Sequence, residues 1–107
     1  MRAPNECDTM QDVRAGIDAL DDQLVDLLVQ RVRYIERAAE LKPRFGIPAD
    51  VPARVTEVLD RVSARAQGTV LPPELAASLW RDLIAWSIAH EIKLMGEAPA
   101  GHRPGTA

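Results

Sequence analysis

Apolar residues in the N-terminal part of the chain recur at alternating steps of four and three: Val13, Ile17, Leu20, Leu24 and Leu27. This a/d seam predicts a long amphipathic helix packed on other helices. From Thr9 to Lys42 there is no Pro, and the only Gly is Gly16. Thr9 with Asp12 three residues on resembles a capping box, with Asp in place of the preferred Glu, and Asp12 also suits the helix dipole. Pro43 disfavours helical geometry at the residue before it, so the helix is expected to run to about Lys42.

Pro43 to Ala49 contains Pro43, Gly46 and Pro48 and reads as a loop, either a connector or a lid beside Lys42. Asp50 with Pro52 is the expected start of a second helix, with Val51, Val55, Val58, Leu59 and Val62 as its buried stripe and Gly68 at its end. Pro72 and Pro73 open a third helix, expected to run to about Met95. Its seam includes Trp80, Ile84, Ser87 and Glu91. No strand pattern appears. The expected architecture is all-α: three helices, the first much longer than the others, in one domain over residues 1–95. The tail, residues 96–107, holds Gly, Pro, Ala and little else apolar, and is expected to be disordered. A first helix of this length leaves part of its seam for another chain to cover, so a homodimer is expected.

Polar residues interrupt these seams. Continued past Leu27, the first seam reads Arg31, Tyr34, Ala38 and Leu41; a track one residue on includes Arg14, Asp18, Asp21, Val25, Leu28 and Lys42. Three cations, Arg14, Arg31 and Lys42, thus lie on or beside the expected buried face. Arg31 and Lys42 are about 16 Å apart along a helix and nearly in line, close enough for two long side chains to grip one small ligand. Arg14 is about 25 Å from Arg31 and cannot share a small-molecule site with it on one straight helix. A functional Arg14 most simply serves a site on a second copy. Taken alone, Arg14 reads as a solvated charge and Lys42 as a cation favouring the helix C-terminus. A seam arginine needs a carboxylate or a bound anion; an ion pair with Asp18 or Asp21 across a helix interface is the structural alternative. Arg54 opposes the dipole of the second helix, a mild cost that either marks a purpose or an exposed side chain. Ser87 on a buried face is ordinarily satisfied by its own backbone. Glu91 there must pair with a cation or be held protonated.

Composition narrows the chemistry. The net charge of −3 carries no basic face for nucleic acid. Cys7 is the only cysteine, so no internal disulfide forms and a reducing cytoplasm is expected. Met1 to Met10 lacks an apolar stretch, so no secretory signal is expected, and no apolar run approaches a membrane span. There is no Gly-rich phosphate loop and no Cys pair for zinc; His90-Glu91 begins like a zinc-protease motif, but Leu94 stands where the second His is needed. What remains is a set of cations and one acid around an anionic ligand. That set suits catalysis by positioning and electrostatics.

Asp12-Val13-Arg14, Ile17-Asp18, Leu20-Asp21, Arg31, Tyr34, Leu41-Lys42, Pro52-Ala53-Arg54-Val55 and the Trp86 to Glu91 segment together resemble the all-α (AroQ) class of chorismate mutases. Cys7, Tyr34, the Ile47-Pro48-Ala49 loop and Arg54-Val55 are most similar to the isochorismate pyruvate lyases of salicylate and siderophore synthesis, which also have weak mutase activity. The resemblance implies an intertwined homodimer with two shared sites, a small dicarboxylate substrate, and a pericyclic reaction needing neither metal nor cofactor. It implies that Arg31 binds a substrate carboxylate, with Arg14 from the partner chain. Lys42 would hold the enolpyruvyl carboxylate and the breaking ether oxygen, and Arg54 the ligand under the loop. Glu91 falls where many members have Gln as donor to the ether oxygen, and Ser87 faces the same pocket. Two positions depart from the family pattern. Val55 replaces the Glu that binds the ring hydroxyl of chorismate, which counts against a dedicated mutase and is tolerable for a lyase, and Glu91 donates only when protonated. The alternatives are a dedicated chorismate mutase of aromatic amino-acid synthesis and a non-catalytic mutase-like interaction domain.

Overall fold

A computed structural model describes residues 2–97. After a short 3-10 turn at Pro4–Glu6 come α1 (Met10–Leu41), a second 3-10 turn (Lys42–Phe45), α2 (Pro52–Ala66) and α3 (Pro73–Met95). Among the described residues there is no strand, as the helical periodicity predicts. The chain divides into two compact units, residues 1–34 and 35–107, with the boundary inside α1.

In the first unit Thr9 caps α1: its Oγ1 accepts from the Asp12 N–H at 3.1 Å. The reciprocal half of the expected box is displaced by one residue, because the Asp12 carboxylate accepts from the Asp8 N–H, also at 3.1 Å. The apolar face that follows is not covered. Val13, Ile17, Leu20, Leu24 and Leu27 are all exposed, Leu24 and Leu27 by 56% and 59%.

In the second unit α2 packs against α3. The buried apolar residues are Ala39, Ala49, Ala66, Ala76, Ala77 and Ile84. Mostly small, they allow close approach of backbones, and no large side chain is fully buried among the described residues. Val51, Val55, Val58, Leu59 and Val62 are half-buried, so the α2 stripe faces inward as expected. On α3 the seam is deeper: Ile84, Ser87 and Glu91 are buried.

Helix ends follow their punctuation with one correction. Val51, not Asp50, is the N-cap of α2, and it provides no side-chain cap. Pro52 at the first helical position has no N–H to satisfy. The Val51 carbonyl accepts from the Arg54 and Val55 N–H groups at 2.9 and 3.1 Å, so the Asp50 carboxylate is not needed. Gly96 ends α3 at φ 72°, and the Glu97 N–H closes the last turn on the Ile92 carbonyl at 3.0 Å. The remainder of the expected tail, residues 98–107, lies outside the described residues. No helix among the described residues is long and apolar enough to cross a membrane.

Candidate active site

Lys42 sits where α1 gives way to the second 3-10 turn. Pro43 cannot extend an α-helix ladder, and the chain tightens over Lys42–Phe45 before Gly46 reverses it at φ 66°. The left-handed geometry at Gly46 is one that a side chain resists. The Ile47 N–H then bonds the Lys42 carbonyl at 2.9 Å, so the loop curls over the lysine. Its far side delivers Ala49, whose carbonyl accepts from Lys42 Nζ at 2.9 Å.

Glu91 approaches the same ammonium from α3. Its Oε1 lies 2.7 Å from Lys42 Nζ. The contact is an ion pair without hydrogen-bond alignment at that oxygen. The Glu91 side chain is 5% exposed and that of Lys42 20%. An acid on a buried helix face is tolerable only with such a partner, and stranding it costs about 3–5 kcal/mol. Ser87, one turn earlier, is also buried; its Oγ donates to the Leu83 carbonyl at 2.7 Å, the backbone bond expected for a serine on such a face.

The other candidates are arranged differently. Arg54 and Val55 occupy the first turn of α2. Val55 is half-buried, while Arg54 is exposed and pairs with Glu57 on the next turn. That pair is solvent-screened and contributes little. Arg14 and Arg31 belong to the first unit, Arg14 exposed and Arg31 half-buried. The structure therefore gathers Lys42 and Glu91, with Ser87 beside them on α3.

Two features escape a reading of the sequence. Glu97 Oε2 accepts from the Ala49 N–H at 2.8 Å, tying the end of α3 to the loop. Its only sequence signal is an acidic residue directly after the helix-ending Gly96. His90 Nε2 lies 2.9 Å from Glu36 Oε2, and its ring stacks on Trp86 with centroids 4.7 Å apart. This pairing fixes the last turns of α1 to α3 next to Glu91. No group of three or more His, Cys, Asp or Glu side chains gathers as a metal site among the described residues.

Lys42 has three N–H donors. Its two described contacts leave capacity for an anionic ligand.

The chain is 32% identical over 94 residues to the isochorismate pyruvate lyase of Pseudomonas aeruginosa, covering 87% of this chain and 91% of that protein. It is 34% identical over 79 residues to the 4-amino-4-deoxychorismate mutase of Streptomyces venezuelae, covering 74% of this chain and 77% of that protein. Similarity to the bifunctional chorismate mutase/prephenate dehydratase of Aquifex aeolicus is 27% over 88 residues, 79% of this chain but only 24% of that protein. Residues 13–92 match the family model for chorismate mutase type II, and the chain belongs to that family.

Proposed function

We propose that this chain is an isochorismate pyruvate lyase, converting isochorismate to salicylate and pyruvate, with a second activity that rearranges chorismate to prephenate. The observation that carries the reading is the Lys42 ammonium, held between the Glu91 carboxylate at 2.7 Å and the Ala49 carbonyl at 2.9 Å. The lyase reaction needs such a group. Pyruvate requires one hydrogen more than the enolpyruvyl methylene carries, and an aromatic ring requires one fewer. Moving one hydrogen from ring to methylene as the ether C–O bond breaks balances both, without a cofactor. Negative charge grows on the departing enolpyruvyl oxygen, and a fixed cation there stabilises the transition state.

Glu91 acts through its proton. As a carboxylate it neutralises Lys42 and repels the developing charge; protonated, it donates to the ether oxygen and leaves Lys42 its full charge. Arg31 holds a substrate carboxylate, with Arg14 supplied by a second copy, and Arg54 retains the ligand under the loop. Val55 offers no acceptor for a ring hydroxyl at the position where a mutase has Glu, which favours isochorismate. The exposed α1 seam and the small-residue core support a homodimer with shared sites. A reducing cytoplasm suits the lone Cys7.

A dedicated chorismate mutase is the second reading, favoured by the family match over residues 13–92. Incubation with each substrate separates the two. Isochorismate should give salicylate and pyruvate in equal amounts, and chorismate should give prephenate more slowly. Prephenate alone would install the second reading, and no product from either substrate would end both.

A further inference from the structure

We infer that Glu97 is a positioning residue: it holds Ala49 in place so that the Ala49 carbonyl fixes the Lys42 ammonium. The inference rests on the reading of Lys42 as the cation that meets substrate.

The contacts form one relay. Glu97 Oε2 accepts from the Ala49 N–H at 2.8 Å, the Ala49 carbonyl accepts from Lys42 Nζ at 2.9 Å, and Lys42 Nζ meets Glu91 Oε1 at 2.7 Å. Ala49 is 2% exposed. A buried N–H in a loop has no ladder to join, so it needs a partner from elsewhere. Here the partner is a side-chain oxygen of Glu97, an acceptor placed directly on that N–H. Both backbone groups of Ala49 are therefore committed, one to the end of α3 and one to Lys42.

The placement of Glu97 is determined by the helix end. Gly96 turns the backbone at φ 72°, and the Glu97 N–H bonds back to Ile92 at 3.0 Å. That closed turn sets where the Glu97 side chain starts. Glu91 lies on the same helix, so α3 reaches the ammonium twice: directly through Glu91, and through Ala49 by way of Glu97. Lys42 is a flexible side chain, and its position depends on both contacts. If Ala49 drifts, the ammonium follows Glu91 alone and leaves the place where charge develops. A displacement of about 1 Å in a reacting group can cost on the order of a hundredfold in rate; a partial drift should cost about tenfold.

The test compares the full chain with Glu97→Ala, Glu97→Asp and Glu97→Gln. One readout is kcat and KM on whichever of isochorismate and chorismate the parent chain converts. The other is independent of turnover: hydrogen exchange at the Ala49 amide and the NMR resonances of the Lys42 side-chain terminus. Glu97→Ala should lower kcat about tenfold with KM nearly unchanged, speed Ala49 exchange and move the Lys42 resonances. Glu97→Asp, which keeps the charge but falls a methylene short, should behave the same way and serves if the alanine variant folds poorly. Glu97→Gln retains an acceptor oxygen and should restore all three readouts. Unchanged kcat in Glu97→Ala and Glu97→Asp would overturn the inference, as would faster Ala49 exchange with unmoved Lys42 resonances, which would make Glu97 an anchor only. Failure of Glu97→Gln to rescue would also overturn it. A parent chain that converts neither substrate would defeat the proposed reaction, while the Ala49 and Lys42 resonances would still decide the relay.

Discussion

Two helix faces in this chain carry the same four-three spacing and meet opposite fates. On α3, Ile84, Ser87 and Glu91 are buried, and even the charged residue is enclosed with a partner. On α1, Ile17, Leu20, Leu24 and Leu27 are more apolar and yet exposed. Residue type alone predicts the reverse. The difference lies in what each face meets. The α3 helix packs on α2, with small residues such as Ala76 and Ala77 buried along it, and Glu91 meets Lys42. The α1 face, built of large aliphatics, is exposed among the described residues. Periodicity defines a face; it does not say whether the covering surface belongs to the same molecule.

The largest expected effect comes from breaking the α1 face. Leu24→Glu combined with Leu27→Glu would place several charges in the apolar interface of a dimer, each costing several kcal/mol. The double variant should sediment as a monomer and lose turnover while circular dichroism still reports a helical chain. A dimer with parental activity would show that this face is not the interface. Ile84→Ala is the counterpart on α3. It should lower stability by about 2–5 kcal/mol through the cavity it leaves, visible as a reduced Tm, without changing the association state.

The same contrast explains what the sequence made legible. Prolines and glycines act locally, so Pro43, Pro52, Pro73 and Gly96 mark helix boundaries to within about a residue. Glu91 was legible as an acid needing a partner because burial of its helix face follows from periodicity. That Lys42 is the partner depends on the fold bringing α3 beside the end of α1. Ala49 was not legible at all: it acts through its N–H and carbonyl, which every non-proline residue possesses. Asp50 carries a side chain that suits a cap, but the Val51 carbonyl and Pro52 make that cap unnecessary.

Next in size is Lys42→Ala. Loss of the cation at the developing charge should lower kcat by about a hundredfold or more, and near-parental turnover would remove Lys42 from the proposed site. Arg31→Lys should also be poor, since a point ammonium cannot form a two-pronged pair with a carboxylate.

A smaller signal sharpens the comparison further. If α1 pairs across copies, inactive Arg14→Ala and Arg31→Ala chains should complement each other. After subunit exchange half of the dimers are mixed, and each holds one site with both arginines. Recovery should reach about a quarter of parental activity for an even mixture. No recovery after verified exchange would argue that each site draws both arginines from one chain.

The smallest effect at neutral pH concerns the buried acid that distinguishes the α3 face. As a carboxylate, Glu91 offsets the charge of Lys42 at 2.7 Å and has no proton for an ether oxygen. Glu91→Gln keeps the shape, supplies a permanent N–H donor and leaves Lys42 its full charge. This variant should exceed the parent by about tenfold, the lower end of the scale of one hydrogen bond to a charged group. The measurement is kcat/KM for both proteins, with folding monitored in each. Equal values would mean that a donor at residue 91 has no part in the reaction. A Glu91→Gln chain that is folded yet inactive would mean that the carboxylate itself is required, and that the ion pair with Lys42, rather than a donor at the ether oxygen, is what α3 contributes.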